Sequence, residues 1–274
     1  MKSKIFKIGK KYIGEGKKTF IIAEIGVNHE GDFSKCKKLI KKAKLSGADA
    51  VKLQTINPDY NYARDTKSYK VFKNKDFSDE QYLKLKRLAS KLNIVFFSTP
   101  GSFFEVDRIV RLGFDAVKIS SGLLTNYPLI KYASKKKLPL IISTGMAFKH
   151  EIKTALNSTG TNKKVAILKC TSLYPAPDTS LNINSINELK RNFKTIVGYS
   201  DHTFDELSCV GATSAGAKII EKHFTLSKKM KGPDHIASLE PQEFHEMVKN
   251  LRTFELMYGN GQKKVEKCEL KNIN

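Results

Sequence analysis

The 274-residue sequence has no tryptophan and only four cysteines. Cys36, Cys170, Cys209 and Cys268 show no CxxC or Cys/His spacing, which argues against a disulfide framework and against a structural zinc site. No segment approaches the roughly 18 consecutive apolar residues of a membrane span, and the N-terminal residues lack the apolar stretch of a secretion signal. We therefore expect a soluble protein of the cytoplasm that does not bind membranes.

Arginine is also scarce, although the chain is strongly basic. Its 49 Lys and Arg residues face 27 Asp and Glu residues, which gives a formal net charge of +22, yet only six of the basic residues are arginines. Bidentate recognition of phosphates and bases prefers the arginine fork, and no nucleic-acid-binding motif is present. The sequence thus argues against a nucleic-acid-binding protein, while its positive field still attracts anions.

Short β-branched runs alternate with amphipathic stretches along the chain. Eight such β-then-α units within about 250 residues predict a (β/α)8 TIM barrel. A doubly wound sheet is the structural alternative, but its GxGxxG fingerprint is missing. The predicted strands are Phe20–Gly26, Ala48–Gln54, Ile94–Ser98, Ala116–Ser120, Leu138–Ser143, Val165–Lys169, Thr195–Tyr199 and Lys218–His223. The predicted helices include Phe33–Ser46, Asp79–Leu92, Asn126–Lys136, Ile183–Phe193, Asp205–Gly216 and Pro241–Tyr258.

The N-terminal segment alternates apolar and polar residues around glycines, which predicts a β-hairpin that closes the bottom of the barrel. The longest connection, from about Thr55 to Ser78, is polar and rich in tyrosine, and it follows the second barrel strand, where loops shape the substrate mouth. We predict a single domain over residues 1–274, divided into a hairpin (1–18), the barrel (19–259) and a C-terminal tail (260–274).

Polar side chains stand at the C-terminal ends of several predicted strands, spaced two apart so that both face the same side. Any single pair is accounted for by a solvated strand end. Lysines and glutamates that point into a barrel from neighbouring strands, however, need partners or a ligand to offset their desolvation. The residues concerned are Glu24, Lys52 and Gln54, Lys118 and Ser120, Ser200 and His202, and Glu221 and His223.

Two kinds of site are suggested by these strand ends. His202 and His223, beside Asp201 and Glu221, have the ligand chemistry of a divalent metal site that carboxylate, water or substrate oxygens complete. A phosphate site is the second kind, because lysines and hydroxyl or backbone N–H donors follow other strands. Its candidates are Lys52, Ser98, Thr99, Lys118, Ser121 and the turn Ser143–Gly145.

The ordered motifs of the chain resemble the sialic acid (nonulosonic acid) synthases over about Phe20 to Gly259. Single motifs are weak evidence, whereas the complete set in this order is specific to that family. The motifs are IAEIGVNHEG (22–31), GADAVKLQT (47–55), FSTP (97–100), NYPLI (126–130), STGM (143–146), CTSLYPAP (170–177), GYSDHT (198–203), EKHFTL (221–226) and GPDHIASLEP (232–241).

The resemblance implies a transferase that joins phosphoenolpyruvate to an N-acetylated aminosugar and releases phosphate. It implies a divalent ion, Mn²⁺ first and Mg²⁺ or Co²⁺ as alternatives, on His202 and His223, which polarises the sugar aldehyde. Glu24, Gln54 and Glu221 take the catalytic positions by this resemblance. The implied substrate-binding residues are Lys52, Thr99, Lys118, Ser121, Ser172, Tyr174, Ser200 and Asp234.

Three features depart from the family pattern. Leu123 stands where the family has an acidic residue, and Gly101 stands where it has phenylalanine, which removes an aromatic wall and predicts a looser pocket. The chain also stops after KKVEKCELKNIN, where relatives continue into an antifreeze-like domain. The resemblance further implies a homodimer, and the missing domain suggests a separate antifreeze-like partner protein.

Two alternatives stay open from the sequence. Another phosphoenolpyruvate-dependent barrel enzyme, such as one making an eight-carbon sugar acid, has similar strand-end chemistry. A non-catalytic barrel that binds anions or a partner chain is the second, motivated by the net charge and by Leu123.

Overall fold

Eight parallel strands close into a barrel in the computed structural model, which describes residues 4–273. Each strand pairs with its neighbour along the chain, and the last pairs with the first, so Glu24 lies beside His223 in the register. This confirms the predicted (β/α)8 barrel. The strands are β3 (Phe20–Gly26), β4 (Ala50–Thr55), β5 (Val95–Pro100), β6 (Val117–Ile119), β7 (Leu140–Ser143), β8 (Val165–Cys170), β9 (Ile196–Asp201) and β10 (Ile219–His223).

Helices surround the barrel, and their apolar faces form the main core with the outward side chains of the strands. Local signals set several helix starts: Asp32 caps α1 through the Lys35 amide, and Ser78 forms a capping box with Gln81 on α4. The helices are α1 (Phe33–Leu45), α2 (Pro58–Asn61), α3 (Lys67–Phe72), α4 (Asp79–Lys91), α5 (Phe103–Arg111), α6 (Tyr127–Lys135), α7 (Lys149–Ser158), α8 (Ser185–Phe193), α9 (Leu207–Ser214) and α10 (Pro241–Met257).

The predicted N-terminal hairpin is present and covers the bottom of the barrel. Strands β1 (Ile5–Ile8) and β2 (Lys11–Gly14) pair antiparallel. Phe6, Ile8 and Ile13 are buried in a second apolar cluster, which also contains residues near the N-terminal ends of the barrel strands. The hairpin therefore closes the end of the barrel opposite to the C-terminal strand ends.

The C-terminal strand ends carry the loops that form the mouth of the barrel. The long connection after β4 contains the two short helices α2 and α3, which the sequence pattern did not indicate. Within residues 4–273, no helix is long and apolar enough to cross a membrane.

Candidate active site

A cavity of about 360 Å³ opens at the C-terminal ends of the barrel strands, within the size range of small-molecule sites. The strand-end residues predicted to face inward all line it, because alternation along each strand brings every second side chain to the lumen. Twelve of the thirteen predicted site residues line this cavity: Glu24, Lys52, Gln54, Thr99, Lys118, Ser121, Ser172, Tyr174, Ser200, His202, Glu221 and His223.

The floor of the cavity is a network of buried charges. Lys52 Nζ lies 3.0 Å from Glu24 Oε2 and 3.6 Å from Glu221 Oε2, and Lys118 Nζ lies 3.4 Å from Glu221 Oε1. Ser200 Oγ also donates to Glu221 Oε1 over 3.0 Å. All four charged side chains are almost completely buried, so these interactions are only weakly screened by solvent.

The two carboxylates of this network titrate in opposite directions. Burial raises the pKa of Glu24 to about 7, against the attraction of Lys52 and with the repulsion of Glu221. Burial alone would also raise the pKa of Glu221, but Lys118 and Lys52 outweigh it and lower that pKa below its usual range. Two lysines thus face one fully ionised carboxylate and one half-protonated carboxyl near pH 7, which leaves the floor positively charged.

Gln54 and Asp234 meet Glu24 beside Gly26. Gln54 Nε2 donates to Glu24 Oε1 over 3.2 Å. A Cβ on Gly26 would lie 3.1 Å from Glu24 Oε1 and 3.7 Å from Asp234 Oδ2, and the φ of +52° also favours glycine there. Asp234 is the one predicted site residue outside the lining of the cavity, but its carboxylate reaches this corner, and burial raises its pKa to about 6.

Hydroxyl groups line the cavity between β6, β7 and β8. Ser121 Oγ lies 3.0 Å from Cys170 Sγ and accepts the Gly145 amide over 3.1 Å, and a Cβ on Gly145 would overlap with Ser172 Oγ. The buried Oγ atoms of Ser143 and Ser172 have no hydrogen-bond partner. Buried polar atoms are normally paired, so these two hydroxyls are free to bind a ligand.

Ser98 does not belong to this group of hydroxyls. Its Oγ pairs with Thr55 Oγ1 over 2.7 Å and lies outside the cavity lining, because Thr99 occupies the inward position of β5. The prediction of Ser98 as a phosphate ligand is therefore wrong, whereas Thr99 Oγ1 accepts from Lys52 Nζ over 3.2 Å inside the cavity.

His202 and His223 stand side by side on adjacent strands, with ring centroids 5.7 Å apart. The Tyr174 ring packs against both, at 4.0 Å from His202 and 5.6 Å from His223. Burial lowers the pKa of both imidazoles, that of His202 to about 4, so both rings are neutral near pH 7. Neutral imidazoles keep a lone pair for a metal ion.

The chemistry of the two rings fits a divalent ion. His202 Nδ1 is hydrogen-bonded to the Thr171 carbonyl, which only accepts, so the proton is on Nδ1 and the lone pair on Nε2. His223 Nδ1 is buried without a partner. Among residues 4–273 no group of three or more His, Cys, Asp or Glu side chains is arranged to hold a metal. The two histidines therefore suit an ion whose remaining positions are open to water or substrate.

A second ion pair lies behind the histidines, between the barrel and the helices. Asp201 and Lys222 have no exposed surface and contact each other directly, and Lys222 Nζ also donates to the Thr203 carbonyl over 2.7 Å. Each of the two charged residues immediately precedes one of the histidines in the chain. Asp201 thus faces away from the cavity, and its carboxylate does not join the histidines.

The NeuB family profile matches residues 39–263. This chain belongs to the NeuB family. An N,N'-diacetyllegionaminic acid synthase of Campylobacter jejuni is 42% identical over 276 residues, which are 94% of this chain and 83% of that enzyme. An uncharacterized protein of Methanocaldococcus jannaschii is 44% identical over 259 residues, 94% of this chain and 77% of that protein.

A solved structure has the same architecture as this NeuB-family chain. The N-acetylneuraminic acid synthetase of Leptospira borgpetersenii, in complex with citrate, superposes with a TM-score of 0.94 at 31% identity, covering 98% of this chain and 95% of that one. Together with the named relatives, this places the chain among sugar-acid synthases of the sialic acid type. The individual roles assigned to the site residues stay predictions.

The NHEG motif of this NeuB-family member supports the site indirectly. His29 does not line the cavity; its ring packs against that of Phe77 with the centroids 4.5 Å apart, and burial lowers its pKa to about 3. Asn28 Nδ2 donates to Ser238 Oγ over 3.0 Å, and Ser238 Oγ donates to the Asp234 carbonyl over 2.6 Å. This chain of hydrogen bonds holds the loop that carries Asp234.

Sequence reasoning missed an apolar part of the cavity. Ile56, Tyr62 and Phe72 line it although they lie in none of the motifs, and Met146 lines it from the end of the STGM motif, where no role was predicted for it. The only available signal was the richness in tyrosine of the long connection after β4. Gly101 did not leave a gap, because a Cβ at that position would overlap with the side chain of Asn61 at the end of α2.

Proposed function

We propose that this chain condenses phosphoenolpyruvate with an N-acetylated aminosugar, giving a nonulosonic acid and phosphate. The observation that carries the proposal is the positively charged floor, because Lys52 and Lys118 line the same cavity as the unpaired hydroxyls of Ser143 and Ser172. A small ligand that carries a phosphate and a carboxylate complements both the excess charge and the free donors.

The lysines and hydroxyls bind and orient phosphoenolpyruvate in this proposal. Its C3 carbon forms the new bond with the aldehyde carbon of the open-chain sugar, and the resulting alkoxide takes up a proton. Water then adds at C2 and loses a proton, and the C–O bond to phosphate breaks from the same carbon. Lys52 and Lys118 offset the negative charge of the departing phosphate.

Glu24 is the best placed group for the proton transfers. Its pKa of about 7 allows it to hold or release a proton at neutral pH, and Gln54 fixes the direction of its Oε1 atom. His202 and His223 would hold a divalent ion, Mn²⁺ first and Mg²⁺ or Co²⁺ as alternatives, which supplies Lewis-acid polarisation of the aldehyde oxygen. Tyr174, packed on both rings, keeps the two imidazoles in place.

The test is a substrate panel with two readouts. Purified protein is incubated with phosphoenolpyruvate, Mn²⁺ and N-acetylated aminosugars, with a pentose phosphate as the acceptor that would yield an eight-carbon acid. We expect phosphate release and a nine-carbon acid by mass spectrometry, with aminosugars only. Phosphate release with the pentose phosphate alone would assign the other enzyme class, and no release with any acceptor would favour the non-catalytic barrel.

Lys118→Met removes one floor cation and leaves both histidines unchanged, so it tests the role of the charged floor in this panel. The single-domain organisation, the cytoplasmic location, the homodimer and the separate antifreeze-like partner remain proposals. Light scattering on the purified chain, alone and after addition of an antifreeze-like domain from a relative, measures the last two.

A further inference from the structure

The side chain of Lys222 connects the two strand ends that carry the histidines. Lys222 lies on β10 directly before His223, and its side chain is completely buried. Its ammonium group contacts the Asp201 carboxylate on β9, donates to the Thr203 carbonyl over 2.7 Å and lies 3.4 Å from Thr203 Oγ1. Asp201 and Thr203 flank His202 in the chain. A cation next to one histidine therefore holds the residues on both sides of the other.

The backbone ladder between these two strands stops just before the histidines. Asp201 and Lys222 are the last residues of β9 and β10 that pair in register. His202 lies beyond the end of β9, and His223 pairs instead with a residue of β3. The contact of the Lys222 ammonium with the Thr203 carbonyl thus continues the connection past the last backbone pair, to the level of the histidines.

The carboxylate of Asp201 closes the turn that contains His202. Its Oδ1 atom accepts the Thr203 amide over 3.2 Å and the Tyr199 hydroxyl over 3.0 Å, and its Oδ2 atom lies 2.9 Å from Thr203 Oγ1. An aspartate that accepts the amide two residues further along fixes a turn of the backbone. Because Lys222 holds the same carboxylate, the turn is attached to β10 as well as to β9.

The two imidazole rings have few hydrogen bonds of their own. His202 is held through Nδ1 by the Thr171 carbonyl, whereas Nδ1 of His223 is buried without a partner. The Tyr174 ring packs against both rings but forms no link between the two strands. The separation of the rings therefore depends on the backbone positions that the Lys222 contacts maintain.

Stability alone does not account for an ion pair at this place. Replacement of a buried pair by well-packed apolar side chains is often neutral or stabilising. A buried network in which each group has its partner, however, favours one arrangement of the chain and makes it rigid. The pair of Asp201 and Lys222 therefore suits a part of the fold where geometry matters more than stability.

We propose that Lys222 is a positioning residue of the metal site. Through Asp201 and the Thr203 carbonyl it sets the separation of the His202 and His223 rings, so that both reach one divalent ion. Residues that orient metal ligands from behind typically change metal affinity by about tenfold to a hundredfold when they are replaced. This inference rests on the proposed function, since the ion is the one proposed there.

The experiment measures the Kd of Mn²⁺ by calorimetry for the wild-type protein, for Lys222→Met and for Asp201→Asn/Lys222→Met. We expect Mn²⁺ to bind about tenfold to a hundredfold more weakly to both variants. The double variant separates positioning from stability, because it leaves no unpaired buried charge but still lacks the cation that holds the Thr203 carbonyl. It also carries the test if Lys222→Met does not fold.

Lys86→Met is the matched control for Mn²⁺ binding. Lys86 pairs with Asp115 at 2.6 Å outside the cavity lining, so we expect the affinity of the wild-type protein. The KM of phosphoenolpyruvate at saturating Mn²⁺ is a second readout. It should be unchanged in the double variant, because Lys52 and Lys118 stay in place on the floor.

The outcomes separate this inference from the proposed function. Wild-type Mn²⁺ affinity in Lys222→Met, or recovery of affinity together with stability in the double variant, overturns the positioning role and leaves the metal assignment intact. An equal loss of affinity in Lys86→Met also overturns it. Absence of Mn²⁺ binding in the wild-type protein, or retained affinity in both His202→Ala and His223→Ala, overturns the metal assignment of the proposed function and this inference with it.

Discussion

Replacement of Lys222 by methionine tests how the histidine-bearing strand ends are held together. The side chains of Lys222 and Asp201 are 0% exposed and form an ion pair, and Lys222 also donates to the Thr203 carbonyl. Methionine fills a similar volume, so the change leaves the Asp201 carboxylate buried without its countercharge. Breaking a buried pair in this way costs about 3 to 5 kcal/mol, so we expect the free energy of unfolding to fall by that amount.

Lys86→Met is the matched control for this effect. Lys86 pairs with Asp115 at 2.6 Å, but the two side chains are 19% and 21% exposed and lie away from the site. Since water still reaches that pair, we expect a loss of at most about 1 kcal/mol. Urea denaturation followed by circular dichroism measures both variants.

The double variant Asp201→Asn/Lys222→Met distinguishes charge from packing. Asparagine at position 201 keeps an oxygen that accepts from the Tyr199 hydroxyl, as Asp201 Oδ1 does over 3.0 Å, but it carries no charge. We expect this variant to regain at least half of the stability that Lys222→Met loses. Equal losses in Lys222→Met and Lys86→Met, or no recovery in the double variant, would refute the reasoning from burial.

Three further predictions concern the cavity. The pKa of Glu24 is about 7 in the folded chain, whereas an ordinary glutamate has a pKa of 4.5, the value that we expect in the unfolded chain. Between pH 4.5 and pH 7 the folded chain therefore holds a proton that the unfolded chain has lost, so the free energy of unfolding falls as the pH rises through this range. Glu24→Gln should therefore remove up to about 3 kcal/mol of the difference in unfolding free energy between pH 4.5 and pH 7. Lys52→Met should raise the KM of phosphoenolpyruvate about tenfold to a hundredfold through loss of a charge-assisted hydrogen bond; an unchanged KM would place the anion elsewhere. His202→Ala and His223→Ala should each abolish Mn²⁺ binding in calorimetry with an unchanged dichroism spectrum, and retained affinity in both would contradict the metal assignment.

The barrel was predictable from sequence because its strands are defined locally. The eight predicted strands each match an observed one, and β3 has the predicted bounds. The helices α2 and α3 were not predictable, because they have only four and six residues and depend on contacts distant in sequence, such as that of Asn57 with Glu105. Their stability comes from the tertiary structure and leaves no periodic pattern.

The same distinction applies to the site. Alternation along the strands placed Glu24, Lys52 and the two histidines in one cavity, since a period of two is a local property. The expectation that Asp201 lies beside the metal histidines was wrong, because Asp201 stands between Ser200 and His202 on the strand and faces the helices, where it pairs with Lys222. The stacking of Tyr62 on Phe72 depends on how two short helices pack, which no local pattern specifies.

The hairpin at the bottom of the barrel has a consequence for the order of events in a turnover. Because Ile8 and Ile13 are fully buried beneath the strands, ligands enter and leave through the loop side alone in the described chain. A molecule seated at Lys118 is then trapped for as long as another occupies the space beside Phe72. Under the proposed function we therefore expect phosphoenolpyruvate at the floor to bind before the aminosugar, an order imposed by the closed end of the barrel opposite to the cavity.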